Sequence, residues 1–339
     1  MRSVAALSII ALAVLATACE SSAPKPATSA CTPSQSTVQG TATDKARYTE
    51  FCTSFQGEAI TAGSDGAMWF TGEPTEPPWI NKIGRITAAG AVKEYPIPAV
   101  DNTGIALGSD GAIWFTGLEH SGGQIGRITT SGVVTFFTVF PDSVDSPAVL
   151  TAGPDGAVWF VASGAYIGRI TMAGVITKFY CSPCLGHTPD SIDFGPDGAL
   201  WFTVYGQIYR MTTSGGFDDH PEVPLDMGSE RSTRGPDGAI WFLDANHMGR
   251  ITSPGAVTTY PIPPQHGGSI PYGLTTGPDG ALWFTESSGR IGRVTASGAV
   301  TEYPISAVAR AIAVGPDNAI WFIEIGNKIG RLSFDSALG

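Results

Sequence analysis

Carboxylates recur at two positions counted from seven tryptophans, and convergent carboxylates are what a divalent cation or a cationic ligand group requires. Eleven residues before the successive tryptophans stand Glu58, Thr103, Ala148, Asp190, Glu230, Tyr272 and Arg310. Three residues after them stand Gly72, Gly117, Ala162, Val204, Asp244, Glu286 and Glu324. Glu58, Glu230, Asp244, Glu286 and Glu324 thus come from four adjacent copies, with Arg310 and Tyr272 beside them. Glu286 and Glu324 are the candidate ligands of magnesium or calcium, and Glu58, Glu230 and Asp244 the candidates for a small-molecule or peptide ligand. A hydrated rim of unpaired carboxylates is the alternative.

A general base requires a group that titrates near neutrality, which makes the five histidines the next candidates. His120, His187, His247 and His266 fall in connections expected on the same face as the acids, where solvent exposure is the default for histidine. His266, close in sequence to Tyr272, is the best single candidate, and His220 falls in an outer strand. Trp79 is the one tryptophan outside the series; it lies in a long loop with Glu73, Glu76 and a Pro-Pro pair. Its ring either stacks on a ligand or packs the loop down.

These residues can converge only if the elements carrying them repeat in space. The tryptophans at 69, 114, 159, 201, 241, 283 and 321 are separated by 45, 45, 42, 40, 42 and 38 residues, the period of a four-stranded propeller blade. Each follows an Asp-Gly pair, or Asp317-Asn318 in the last copy, whose residues tolerate the positive φ of a tight hairpin turn. A third strand carries Ile-Gly-Arg or a close variant, and a fourth is typified by Val300 to Ile305, where proline marks an exposed edge. The expectation is an all-β, seven-bladed β-propeller of four-stranded antiparallel blades. In such a ring the residues that differ between copies carry the functional information, because the shared ones are explained by the blade.

The seventh copy has its third strand, but Gly339 ends the chain before a full fourth. Residues 47–51, Arg-Tyr-Thr-Glu-Phe, match the fourth-strand pattern, so the N-terminal strand is expected to pair beside residues 329–334 and close the ring. The seven repeated arginines read as structural, bonded to carbonyls or to the turn aspartates of adjacent blades.

Ahead of the ring, residues 1–18 read as a secretory signal, and Ala16-Thr17-Ala18-Cys19 fits acylation of Cys19 as in bacterial lipoproteins. Residues 19–45 read as a disordered tether and 46–339 as the propeller. Export makes disulfides plausible, with Cys31 and Cys52 as one pair and Cys181 and Cys184 as a loop staple. A formal net charge of -11 argues against nucleic acid and anionic lipid surfaces as partners. The expectation is a monomer, outside the membrane except through a lipid anchor.

Residues 277–286 (Gly-Pro-Asp-Gly-Ala-Leu-Trp-Phe-Thr-Glu), 291–295 (Ile-Gly-Arg-Val-Thr) and 301–305 (Thr-Glu-Tyr-Pro-Ile) resemble the virginiamycin B lyase family, a resemblance that runs through residues 47–335. The resemblance implies a magnesium-dependent carbon-oxygen lyase that opens a cyclic depsipeptide at its ester bond by elimination. It also implies a histidine base at the first-strand entrance of the last blade, an acid two residues earlier, an acid at the second-strand exit and a substrate-contacting histidine one blade before. Those positions fall on Arg310, Val308, Glu324 and Tyr272, so Glu324 alone matches. An arginine stays protonated and cannot act as the base. The sequence therefore reads as a cell-envelope ligand-binding or scaffold module with an acidic channel mouth. The alternative is a metal-assisted lyase of depsipeptide esters with a rearranged site, in which His266 serves as a displaced base.

Overall fold

The computed structural model describes residues 32–41, 44–98, 103–119, 122–141, 145–204, 206–218, 231–243, 247–252, 256–261 and 271–334. These form seven antiparallel sheets: six of four strands, and a seventh that joins the two ends of the chain. In blade 1 the strands run Gln56–Ala62, Met68–Glu73, Lys82–Ile86 and Val92–Pro96 from the axis outward, and blades 2 to 6 repeat the order. Blade 7 takes Ala309–Val314, Ile320–Glu324 and Lys328–Ser333 from the C-terminal end and Lys45–Cys52 from the N-terminal end.

Closure follows the expected register, with Arg47 opposite Ser333 and Cys52 opposite Lys328. The tether expectation needs correction at its end: Ser34–Gln39 is a fifth strand on the outside of blade 7, with Ser34 opposite Glu50. An uncapped fourth strand would leave a row of open backbone donors and acceptors, and this polar segment satisfies them.

One residue set holds each blade. Trp69 is fully buried and stacks on Tyr95 of the fourth strand with ring centroids 5.5 Å apart, and its indole N–H donates to Asp65 Oδ1 at 3.1 Å. Arg85 of the third strand donates to the other carboxylate oxygen at 2.6 Å. Burial alone would raise the Asp65 carboxyl, but the bonds from Arg85, Trp69 and the Ala67 amide outweigh it and hold the group below its ordinary value. The arginine–aspartate pair recurs in all seven blades. Each arginine grips the turn aspartate of its own blade and not of a neighbour, which corrects the sequence expectation. The reason is register: Trp69 sits directly opposite Arg85, and both point toward the turn.

Neighbouring blades are tied at the same turns, as where Ser64 donates to the Gly111 carbonyl and Ser109 to the Gly156 carbonyl, both at 2.7 Å. Glycine in the third strand has a steric cause: a Cβ at Gly84 would lie 2.0 Å from the Phe70 ring. Blade 4 carries Tyr209 at that position, and there Phe202 stacks on it at 5.7 Å. Cys181 and Cys184 form the expected loop disulfide, with Cα atoms 5.3 Å apart and both residues buried. Cys52 is also disulfide-bonded, to a partner outside the described residues.

Candidate functional site

The innermost strands enclose a central cavity of about 690 Å³, and the residues that line it come from all seven blades. Glu58, Thr103, Tyr272 and Arg310, all from the first-strand entrances, are among them. Arg310 Nη1 lies 4.0 Å from Glu58 Oε1, so the closing blade and blade 1 share an ion pair at the mouth. Burial raises the Glu58 carboxyl, the Arg310 charge opposes that shift, and Glu73 adds to it.

The second-strand exits do not join this set. Glu286 is buried and accepts from Ser288 Oγ at 2.9 Å, and Glu324 is fully buried. Neither lines the cavity. The physical reason is layering: the second strand is one layer further from the axis, and the first strand covers it. Glu230, Asp244 and His266 lie outside the described residues, as do His120, His220 and Cys19. His187 is exposed, His247 is half-buried, and neither lines the cavity. Trp79 is 69% exposed, so its ring does not pack the loop down.

Glu324 sits in a polar cluster at the closure. Tyr48 OH donates to its Oε1 at 2.6 Å, while Oε2 has no hydrogen-bond partner. Beside it Glu50 accepts from Lys328 Nζ at 2.8 Å and from the hydroxyls of Ser306 and Ser34. Burial, opposed by the bond from Tyr48 and reinforced by the Glu50 charge, pushes the Glu324 carboxyl up to about 7. Burial also acts to raise Glu50, but Lys328 and the two serines prevail and bring it down to about 2.

A magnesium ion of the kind the resemblance implies does not fit these residues. Val308 offers no side-chain oxygen, Glu324 is held by Tyr48, and the neighbouring Glu50 is neutralised by Lys328. Among the described residues no three His, Cys, Asp or Glu side chains gather to hold a metal. Of the two acids expected to share an ion, Glu286 accepts from Ser288 and Glu324 from Tyr48.

One cavity residue escaped the two positions used to search the sequence. Eight residues before the tryptophan the copies carry Thr61, Ala106, Thr151, Asp193, Thr233, Thr275 and Ala313. Asp193 is the single charged member and lines the cavity. Extending the comparison of unlike positions along the whole first strand would have found it.

The profile of the virginiamycin B lyase family matches residues 32–220 and 182–338. Virginiamycin B lyase from Staphylococcus aureus is 34% identical and superposes with a TM-score of 0.73, covering 85% of this chain and 99% of that one. A streptogramin B lyase structure is 32% identical, with a TM-score of 0.75 and coverage of 85% and 97%. A catalytically inactive histidine-to-alanine form of the S. aureus enzyme, solved with quinupristin, matches at 34% identity and a TM-score of 0.73, covering 85% and 99%. No curated protein matches at comparable significance. With the blade motifs, the ring closure and these matches in agreement, the chain belongs to the virginiamycin B lyase family.

Proposed function

We propose that this member of the family is a binding module that has kept the cavity and lost the elimination chemistry. Arg310 carries the reading. It stands where the family resemblance calls for a base, it cannot accept a proton, and it is paired with Glu58. The ligand is a small molecule or peptide entering past Tyr272, Glu58 and Arg310, with the exposed Trp79 on an adjoining loop. The leader and Cys19 further point to an exported lipoprotein on the outer face of a bacterial membrane, acting as a monomer. Loss of acyl labelling in a Cys19→Ser variant would support the anchor, and unchanged labelling would exclude it.

Sequence identity of 34% over 99% of a lyase favours a second reading, a carbon-oxygen lyase of cyclic depsipeptide esters with a rearranged site. One experiment separates the two. The purified domain is incubated with a streptogramin B and magnesium, and linearisation is followed by mass spectrometry. The expected outcome is intact antibiotic after many hours; turnover abolished by Glu324→Gln would establish the lyase instead.

A further inference from the structure

We infer that Asp193 is the recognition group of the central cavity and that the ligand it selects is an amphipathic organic amine, a protonated amino group on an apolar body. The inference rests on the binding reading above and adds the ligand's chemical class and the residue that chooses it.

Three charged side chains line the cavity among the described residues: Glu58, Arg310 and Asp193. The first two form a long, solvent-exposed ion pair at the mouth, 4.0 Å apart. Asp193 has no such partner within the cavity. Its Oδ1 accepts from the Phe194 amide at 2.7 Å and its Oδ2 from the Arg234 amide of the next blade at 3.0 Å. No side chain of the described residues donates to it. Each oxygen of a carboxylate can accept twice, so acceptor capacity remains on both.

Place and surroundings give the ligand class. Asp193 lines both the cavity and a 390 Å³ depression on the turn face, so it stands where the channel approaches its far end. Around it Ser191, Ser232 and Thr233 supply hydroxyls, while Ile105, Leu274 and Ile312 make much of the remaining wall apolar. An anion at one end of a largely neutral cavity selects a cation on an apolar body, because a half-buried carboxylate gains most from a directly bonded positive charge. Burial raises the Asp193 carboxyl against the opposing pull of the two amides and the Arg234 charge. The rival account is a staple between blades, since the Arg234 amide bond alone would justify an acceptor here. That account predicts a loss of stability on mutation and no preference for ligand charge.

The test uses three probes of one shape and different charge: phenethylamine, 2-phenylethanol and phenylacetate. Their affinities for the intact domain are measured by titration calorimetry. The amine is expected to bind about tenfold tighter than the alcohol, as a charge-assisted bond to a half-buried carboxylate provides, with the acid weakest. In Asp193→Asn the amine's advantage should fall below about twofold, whatever happens to the melting temperature. Asp193→Thr, which restores the residue of blades 1, 3, 5 and 6, should behave alike if the asparagine form folds poorly. Equal binding of all three probes would overturn the inference and leave the binding reading standing. So would a preference that survives in both Asp193 variants but disappears in Glu58→Gln. Failure of all three to bind would overturn both.

Discussion

Glu324 and Glu50 face one another at the closure with opposite tendencies, the first pushed up to about 7 and the second drawn down to about 2. Each shift is a statement about stability. The Glu324 carboxyl binds its proton more tightly folded than unfolded, so its contribution is fully present below the ordinary value of 4.5 and is lost as pH rises through about 7. Glu50 behaves inversely: its contribution is present above 4.5 and is lost as pH falls through about 2. Together they favour the closed ring most near pH 4.5. Melting temperature should therefore decline between pH 5 and pH 8, by an amount corresponding to a few kcal/mol at most. Glu324→Gln keeps a neutral hydrogen-bonding group, so its curve should be flatter and should lie above the parent at pH 8. Parallel curves for the two proteins would refute the assignment. The sequence showed an acid at 324 and invited a metal; its true neighbour, Tyr48, is 276 residues away along the chain, beyond any local pattern.

At the level of the blade, the Asp-Trp-Arg set was legible because Asp and Trp keep a fixed four-residue offset and an arginine always follows on the next strand, 9 to 16 residues after the tryptophan. What the repeat could not reveal was the partner of each arginine, since own-blade and adjacent-blade aspartates are equally periodic. Asp237 of blade 5 offers a clean test. Its carboxylate accepts from the Trp241 indole at 3.0 Å and pairs with Arg250. Asp237→Ala leaves the indole N–H without its acceptor, and the pair with Arg250, itself partly exposed, is lost. Bonds to a charged group are each worth about 1.5–3 kcal/mol, and solvent reduces the arginine's share, so a total loss of about 2 kcal/mol is expected in denaturant titration. Arg250→Ala should cost less than Asp237→Ala, because the indole bond survives. The reverse order would show that the ion pair and not the indole bond holds the turn.

The whole ring depends on a seam that no single repeat describes. Six blades are continuous in sequence, while blade 7 is assembled from both ends, and the N-terminal strand brings Ala46, Tyr48 and Phe51 into the interface. Phe51 stacks on Trp321 at 5.5 Å, the place a fourth-strand aromatic takes elsewhere. The opposite side of the seam has its own device. Phe334, past the last strand, packs on Trp283 and Tyr303 of blade 6 with centroids 5.2 and 5.5 Å away. The closing strand was legible because it copies the fourth-strand pattern. Ser34–Gln39 was not, because its serines, threonine and glutamines carry no apolar alternation, and the side-chain bonds that join its backbone pairing, Ser34 to Glu50 and Gln35 to Thr49, follow no repeat. The two strands should thus differ sharply in worth. In a Cys52→Ser background, which removes the disulfide from the comparison, deleting residues 33–39 exposes one polar edge and should lower the melting temperature by a few degrees. Deleting residues 33–52 uncovers Trp321 and Phe322, removes Tyr48 from Glu324 and breaks the pairing with Lys328–Ser333. Losing two packed aromatics at about 3–5 kcal/mol each approaches or exceeds the 5–15 kcal/mol by which a domain is stable. The larger deletion should show no cooperative melting transition and no near-ultraviolet circular dichroism. A cooperative transition within about five degrees of the Cys52→Ser parent would mean that the blades hold their ring without the seam.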